Sequence, residues 1–204
     1  MTTQSKNMRP QTLNELLEST ENLYRGEKAK DALKYLVAAY EQNQSSSDCT
    51  AVGRIATAIA HVLIATGHVD LAVPYLQEAF NIAVQTDDTL MITTRGSILC
   101  ALLLAHKQDV KSSTRKQLRV TANAVIAAAS ERGNWLGIVD GILTLVSVDL
   151  EESKLGPAVN RIRDAHTNLT QRRASPAAIH LLIARLVELR EIHGADTLRV
   201  HLRR

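Results

Sequence analysis

Residues 54–83 read RIATAIAHVLIATGHVDLAVPYLQEAFNIA, and this stretch decides the fold. Ala56, Ile59, Ala60 and Leu63 recur at helical spacing and stop at Gly67. Five residues past that glycine, Ala72, Leu76 and Ala79 stand at i, i+4 and i+7, on one helix face. Small residues above and below a larger one let two helix axes approach closely while the branched side chain fills the groove between them. The stretch therefore predicts two helices joined by a short turn, which makes them antiparallel neighbours.

The same spacing recurs along the chain. Ala32-Leu36-Ala39, Ala122-Ile126-Ala129 and Ala158-Ile162-Ala165 repeat it, each on the second helix of a hairpin. The copies are separated by 40, 50 and 36 residues. On the small residue at Ala60, the turn at Gly67 and the Ala72/Leu76/Ala79 spacing, residues 54–83 resemble a tetratricopeptide (TPR) repeat. Residues 16–40 fit more loosely: Gly26 is displaced, and Thr20 stands where Gly or Ala is usual. The regular period of that family is 34 residues, so the resemblance is to a degenerate array with longer helices.

Outward from this stretch almost everything reads helical, and strand-type alternation is nearly absent. Residues 1–10 are polar, end at Pro10 and read as a disordered tail; 11–204 read as one domain. Helices are expected over about 13–23, 29–40, 49–66, 69–84, 89–106, 110–131, 134–150, 156–170 and 176–194, with a short one at the C-terminus. Asp48 is expected to cap one of them, Asp87 and Asp88 another, and Ser175 a third ahead of Pro176. The fold class is all-α: a TPR-like antiparallel helical-hairpin array, an α-α superhelix of nine to ten helices.

Composition closes off several functions. Aromatic residues make up 3% of the chain, too few for the base-stacking platforms of RRM or OB folds. Cys49 and Cys100 are too few for a disulfide framework or a structural zinc site. The seven histidines form no HExxH pair, and no Walker, GxSxG or CxxC motif is present. The glycines of GNWLGIVDG, at 133, 137 and 141, lack the strand before and the Lys-Ser/Thr after that a phosphate loop needs, so close helix packing is their expected role. No enzyme and no cofactor is expected. The N-terminus shows no apolar signal region, and no run approaches the ~18 apolar residues of a membrane span, so the expectation is a cytoplasmic protein with free thiols.

Charge is uneven. Residues 1–155 carry 15 Lys and Arg against 17 Asp and Glu, whereas residues 156–204 carry nine, all Arg, against four. Lys107, Lys111, Arg115 and Arg119 are spaced four apart, with Lys116 beside them. Several fall near the start of a helix, where the dipole disfavours cations, and that placement hints at an anionic partner. Arg172-Arg173-Ala174-Ser175-Pro176 resembles a basophilic kinase site, though a capping Ser followed by Pro accounts for it.

The resemblance implies that the first helix of each hairpin lines a groove. It directs Arg54, Thr57, His61 and Ile64 there, then Arg95 and Leu102, with Trp135, His180 and Arg185 farther on. Arg54, Arg95 and Arg185 along one groove would suit an acidic peptide, because guanidinium forks match carboxylates. The function implied is an interaction module, an adaptor, scaffold or chaperone-like protein holding a peptide or helix in its groove. Two alternatives stand beside it. One is a helical-repeat nucleic-acid binder using the 107–119 stripe and the Arg-rich C-terminal third. The other is self-assembly through terminal helices, where Ile179, Leu182, Ile183, Leu186 and Val187 form an uncapped apolar face.

Overall fold

Asp48, Asp88, Asn134 and Ser175 perform the same task at four places in the computed structural model of this chain. The side chain of each accepts a hydrogen bond from the backbone N–H three residues on, at Ala51, Met91, Gly137 and Ala178. Each thereby satisfies one of the donors a helix start leaves open. The structure describes residues 13–15, 17, 18, 20, 28–44, 48–105 and 112–202. Among them the helices with defined bounds are α1 (Ala29–Asn43), α2 (Cys49–Ala65), α3 (Val69–Gln85), α4 (Thr89–Ala105), α5 (Ser112–Glu131), α6 (Trp135–Glu151), α7 (Leu155–Gln171), α8 (Pro176–His193) and α9 (Ala195–Leu202). Residues 13–15, 17, 18 and 20 are also helical, and no described residue is in a strand. The all-α helical-hairpin array expected from the sequence is the architecture observed. The tail at 1–10 lies outside the described residues.

The side-chain caps distinguish two kinds of helix. α2, α4, α6 and α8 begin at them and are the first helices of their hairpins. Lys28 and Lys154, before α1 and α7, make no side-chain cap.

Five connections share one turn. His68, Asp88, Asn134, Lys154 and Ala174 each donate their N–H to the carbonyl five residues back, at 2.8–2.9 Å. The residue before each, at 67, 87, 133, 153 and 173, donates to the carbonyl three back and has a left-handed φ between +53° and +79°. This pair of bonds is the Schellman ending of a helix. Glycine takes that conformation without strain at 67 and 133, but Asp87, Ser153 and Arg173 take it with a side chain. Asp87 thus closes α3, and Asp88 alone caps α4.

The turn sets the length of the unit. α2, α3 and α4 begin at 49, 69 and 89, so a hairpin takes 40 residues rather than 34. The uneven spacing of the alanine pattern has a simple origin. Ala32, Ala72 and Ala158 are each the fourth residue of their helix, but in α5 the row is carried seven residues, two turns, farther along. α5 begins at 112, 43 residues after α3 and 43 before α7, so the displaced row lies 50 residues from one neighbour and 36 from the other. Most of the row is interior: Ala32, Leu36, Ala72, Leu76, Ala79, Ala122, Ala129 and Ala158 are fully buried, whereas Ala39 and Ile126 are half-buried. Each large side chain so buried contributes about 1.5–3 kcal/mol.

The chain forms two compact units, residues 1–82 and 83–204, divided within α3. In the first, α1 packs on α2. Tyr40 of α1 donates a short hydrogen bond to Glu78 of α3 and meets Tyr75 edge-on, ring centroids 5.4 Å apart. Burial, then the Glu78 carboxylate, raises the Tyr40 phenol above its usual pKa. Thr20 is buried, and its hydroxyl donates to the Leu17 carbonyl at 2.9 Å.

In the second unit α4, α6 and α8 are first helices, and α6 packs on both α4 and α5 while α8 packs on both α6 and α7. Gly137 and Gly141 serve packing, as the sequence suggests. A Cβ at 137 would stand 2.7 Å from Thr93 Cγ2, and one at 141 would stand 2.9 Å from the Ala122 carbonyl oxygen.

Candidate interaction surface

Because α2, α4, α6 and α8 start at equivalent caps, their residues can be compared by position from the first helical residue. The sixth position is Arg54, Thr94, Asp140 and Leu181, and all four are exposed. The seventh is Ile55, Arg95, Gly141 and Leu182, and all four are buried. One residue of register thus turns a side chain from solvent to core, and this overturns part of the expected groove. Arg95 is 4% exposed and occupies the inward position of Ile55, so it is not presented to a partner. The outward residue of α4 is Thr94.

The other expected groove residues divide between the units. On α2 of the first unit, Arg54 and His61 are exposed, and Thr57 and Ile64 are half-buried. Arg54 donates to the Asn14 side chain at 2.7 Å, and the Thr57 hydroxyl to the Gly53 carbonyl at 2.7 Å. In the second unit Arg185 is half-buried and bonded to Glu188 at 2.5 Å, one helical turn along α8. Trp135 is half-buried beneath the Arg172 guanidinium, 5.2 Å from its ring centre. The outward row of the second unit is made instead of Leu90 and Thr94 on α4, Leu136 and Asp140 on α6, and Leu181 on α8. Leu90, Leu136 and Leu181 are 45%, 47% and 42% exposed, so the row is more apolar than basic. Sequence reasoning missed these leucines because they count as core residues by type; the cap register is the signal that finds them.

Two residues of the basic stripe, Arg115 and Arg119, meet anions inside the chain. Lys107 and Lys111 lie outside the described residues, and Lys116 is exposed. Arg119, on α5, donates to Asp149 at 2.9 Å and to Glu152 at 3.0 Å, both at the end of α6. Arg115 Nε lies 3.8 Å from Glu152. From α7, Arg161 donates to the second oxygen of Asp149 at 3.1 Å, and Lys154 donates to Glu152 at 2.7 Å. The Asp149 carboxylate is 3% exposed and bridges three helices. Its hydrogen bond is the main reason the Arg119 guanidinium holds its proton more tightly than usual. Lys154, then Arg119, holds the Glu152 carboxyl below its usual pKa. The cations placed against the helix dipole are offset by a carboxylate pair on the next helix.

Cys49 is exposed and Cys100 buried, and both thiols are free. Burial pushes the Cys100 thiol up to about 11. Among the described residues no group of three or more His, Cys, Asp or Glu could hold a metal ion, and no helix is long and apolar enough to cross a membrane. Fold and surface together define an all-α array of helical hairpins with an apolar outward row. No protein-family model matches the chain, and no curated protein matches its sequence.

Proposed function

We propose that this chain is a non-enzymatic, cytoplasmic interaction module, an adaptor or scaffold that holds a peptide or helix against the outward row of its first helices. One observation carries the reading. In the second unit Leu90, Leu136 and Leu181 stand at outward positions of successive first helices, each more than 40% exposed. An array that buries its core residues as completely as this one has no packing use for three outward leucines, and apolar rows in a polar surround are where peptides and helices dock. The TPR resemblance supports the same reading, since the first helices face the ligand in that family. The nucleic-acid alternative is weakened, because Arg115 and Arg119 of its stripe face Glu152 and Asp149.

The test is affinity capture from host lysate, with and without nuclease, using the native chain and a Leu90→Glu/Leu136→Glu variant. Both positions are exposed, so the variant should fold. A protein partner that survives nuclease and is lost by the variant would support the module reading. Recovery of nucleic acid, or equal recovery of partner by both chains, would overturn it.

A further inference from the structure

Among the described residues, the last hairpin of the second unit carries a core face without a covering helix. At the eleventh and twelfth positions of the earlier first helices stand Ile59 and Ala60 on α2, Leu99 and Cys100 on α4, and Leu145 and Val146 on α6. All six are at most 4% exposed. On α4 the covering helix is visible, since Cys100 shares a core cluster with Leu145 and Val148 of the following first helix. At the same positions α8 carries Leu186, half-buried, and Val187, 48% exposed. These two residues line a cleft of about 320 Å³ between α8 and α9. Leu198 and Leu202 of α9 complete its apolar floor.

Twice in this unit the cleft between the two helices of a hairpin is filled by the next first helix: α6 sits on α4 and α5, and α8 sits on α6 and α7. The shape an α8–α9 cleft accepts is therefore a helix presenting a small and apolar row, as α8 does with Ala178, Leu182 and Leu189. Charge sets the flank of that helix. The charged residues lining the cleft are Arg190 and Arg199, with no acid among the lining residues. Arg199 also bonds Asp196 at 3.3 Å in an exposed pair. A second copy docked cleft to cleft would bring Arg190 and Arg199 of both copies into one interface with no acid among the lining residues, which costs rather than stabilises.

We propose that the α8–α9 cleft is a docking site for an amphipathic helix of another polypeptide, with acidic residues flanking its apolar row. This site lies beyond the outward row of the module reading, and either can fail without the other.

The test uses the full chain and two synthetic helical peptides. Both carry the Ala178–Leu182–Leu189 spacing, one flanked by glutamates and the other by lysines. Binding is measured by fluorescence anisotropy, and self-association of the peptide-free chain by sedimentation. The glutamate peptide should bind at least about tenfold more tightly than the lysine peptide. Arg190→Glu/Arg199→Glu should reverse that preference. Val187→Asp, at an exposed position, should abolish binding, and Leu90→Glu/Leu136→Glu should leave it unchanged. No binding, equal binding of the two peptides, or binding indifferent to Val187→Asp would overturn the proposal. So would a peptide-free dimer that Val187→Asp dissociates, which would assign the cleft to a second copy.

Discussion

Replacing Arg119 by Met tests whether the carboxylate of Asp149 joins α5, α6 and α7 energetically as it does geometrically. Asp149 accepts from Arg119 at 2.9 Å and from Arg161 at 3.1 Å, and its side chain is 3% exposed. A hydrogen bond to a charged group contributes about 1.5–3 kcal/mol when well desolvated. The arginine end is 31% exposed, so solvent screens the pair and the expected loss falls to about 1–2 kcal/mol. That figure counts the Asp149 bond alone. Asp149→Ala removes both bonds, but it releases two arginines each about one-third exposed, which can turn to water. Its cost should be about 2–3 kcal/mol, below the 3–5 of a fully buried pair. A double-mutant cycle between Arg119→Met and Asp149→Ala should return a coupling of about 1–2 kcal/mol. Urea unfolding read through Trp135, the only tryptophan and a residue of the same unit, measures each corner. Arg199→Met is the control: its pair with Asp196 is 68% and 95% exposed, and its loss should cost less than about 0.5 kcal/mol. A coupling below about 0.5 kcal/mol at Arg119–Asp149 would refute the argument.

Three further outcomes follow from the packing and the turns. Gly141→Ala should destabilise the second unit by about 1–3 kcal/mol, because its Cβ would stand 2.9 Å from a backbone oxygen that cannot rotate away; an unchanged urea midpoint would contradict the close approach. Arg173→Gly, at φ +56°, should stabilise by up to about 1 kcal/mol, the left-handed strain exceeding the added freedom of the unfolded chain, and differential scanning calorimetry would show a raised Tm. Ellman's reagent at pH 8 should titrate Cys49 quickly and Cys100 only on unfolding. The raised Cys100 pKa also predicts stability that is whole below the unfolded thiol's value near 8.5 and is lost as pH rises toward about 11, an alkaline loss that Cys100→Ala should abolish.

The fold was readable because its rules are local. A capping side chain, a Schellman turn and an alanine row each fit within a few residues, so Asp48, Gly67 and Ala72 announce their hairpin without reference to the rest of the chain. The period was not readable, for a local reason too. In α5 the alanine row moves two turns along its helix, which keeps the same face toward the neighbour but breaks the spacing in sequence. A helix tolerates a shift of seven residues because it rotates the row by only about 20°. Uneven repeat spacing in a helical array is therefore compatible with uniform hairpins.

The surface was less readable, because outward and inward positions are adjacent in sequence. Arg95 stands one residue from Thr94, and residue type points the wrong way, since an arginine is a poor guess for a site where Ile55 and Leu182 are core. Counting from the capping residue resolves it. The charge argument failed differently. The sequence reads Arg115 and Arg119 as part of a stripe facing an anionic partner, whereas the carboxylates opposite them, Asp149 and Glu152, lie 30 and more residues away in sequence and only the hairpin brings them there. A cation placed against a helix dipole implies a nearby carboxylate or phosphate, and the first place to look for it is the antiparallel neighbour that the short turns already predict. At the α8–α9 cleft the lining cations are Arg190 and Arg199, the only acid bonded there is the exposed Asp196 outside the lining, and an acidic flank is therefore expected of whatever helix enters it.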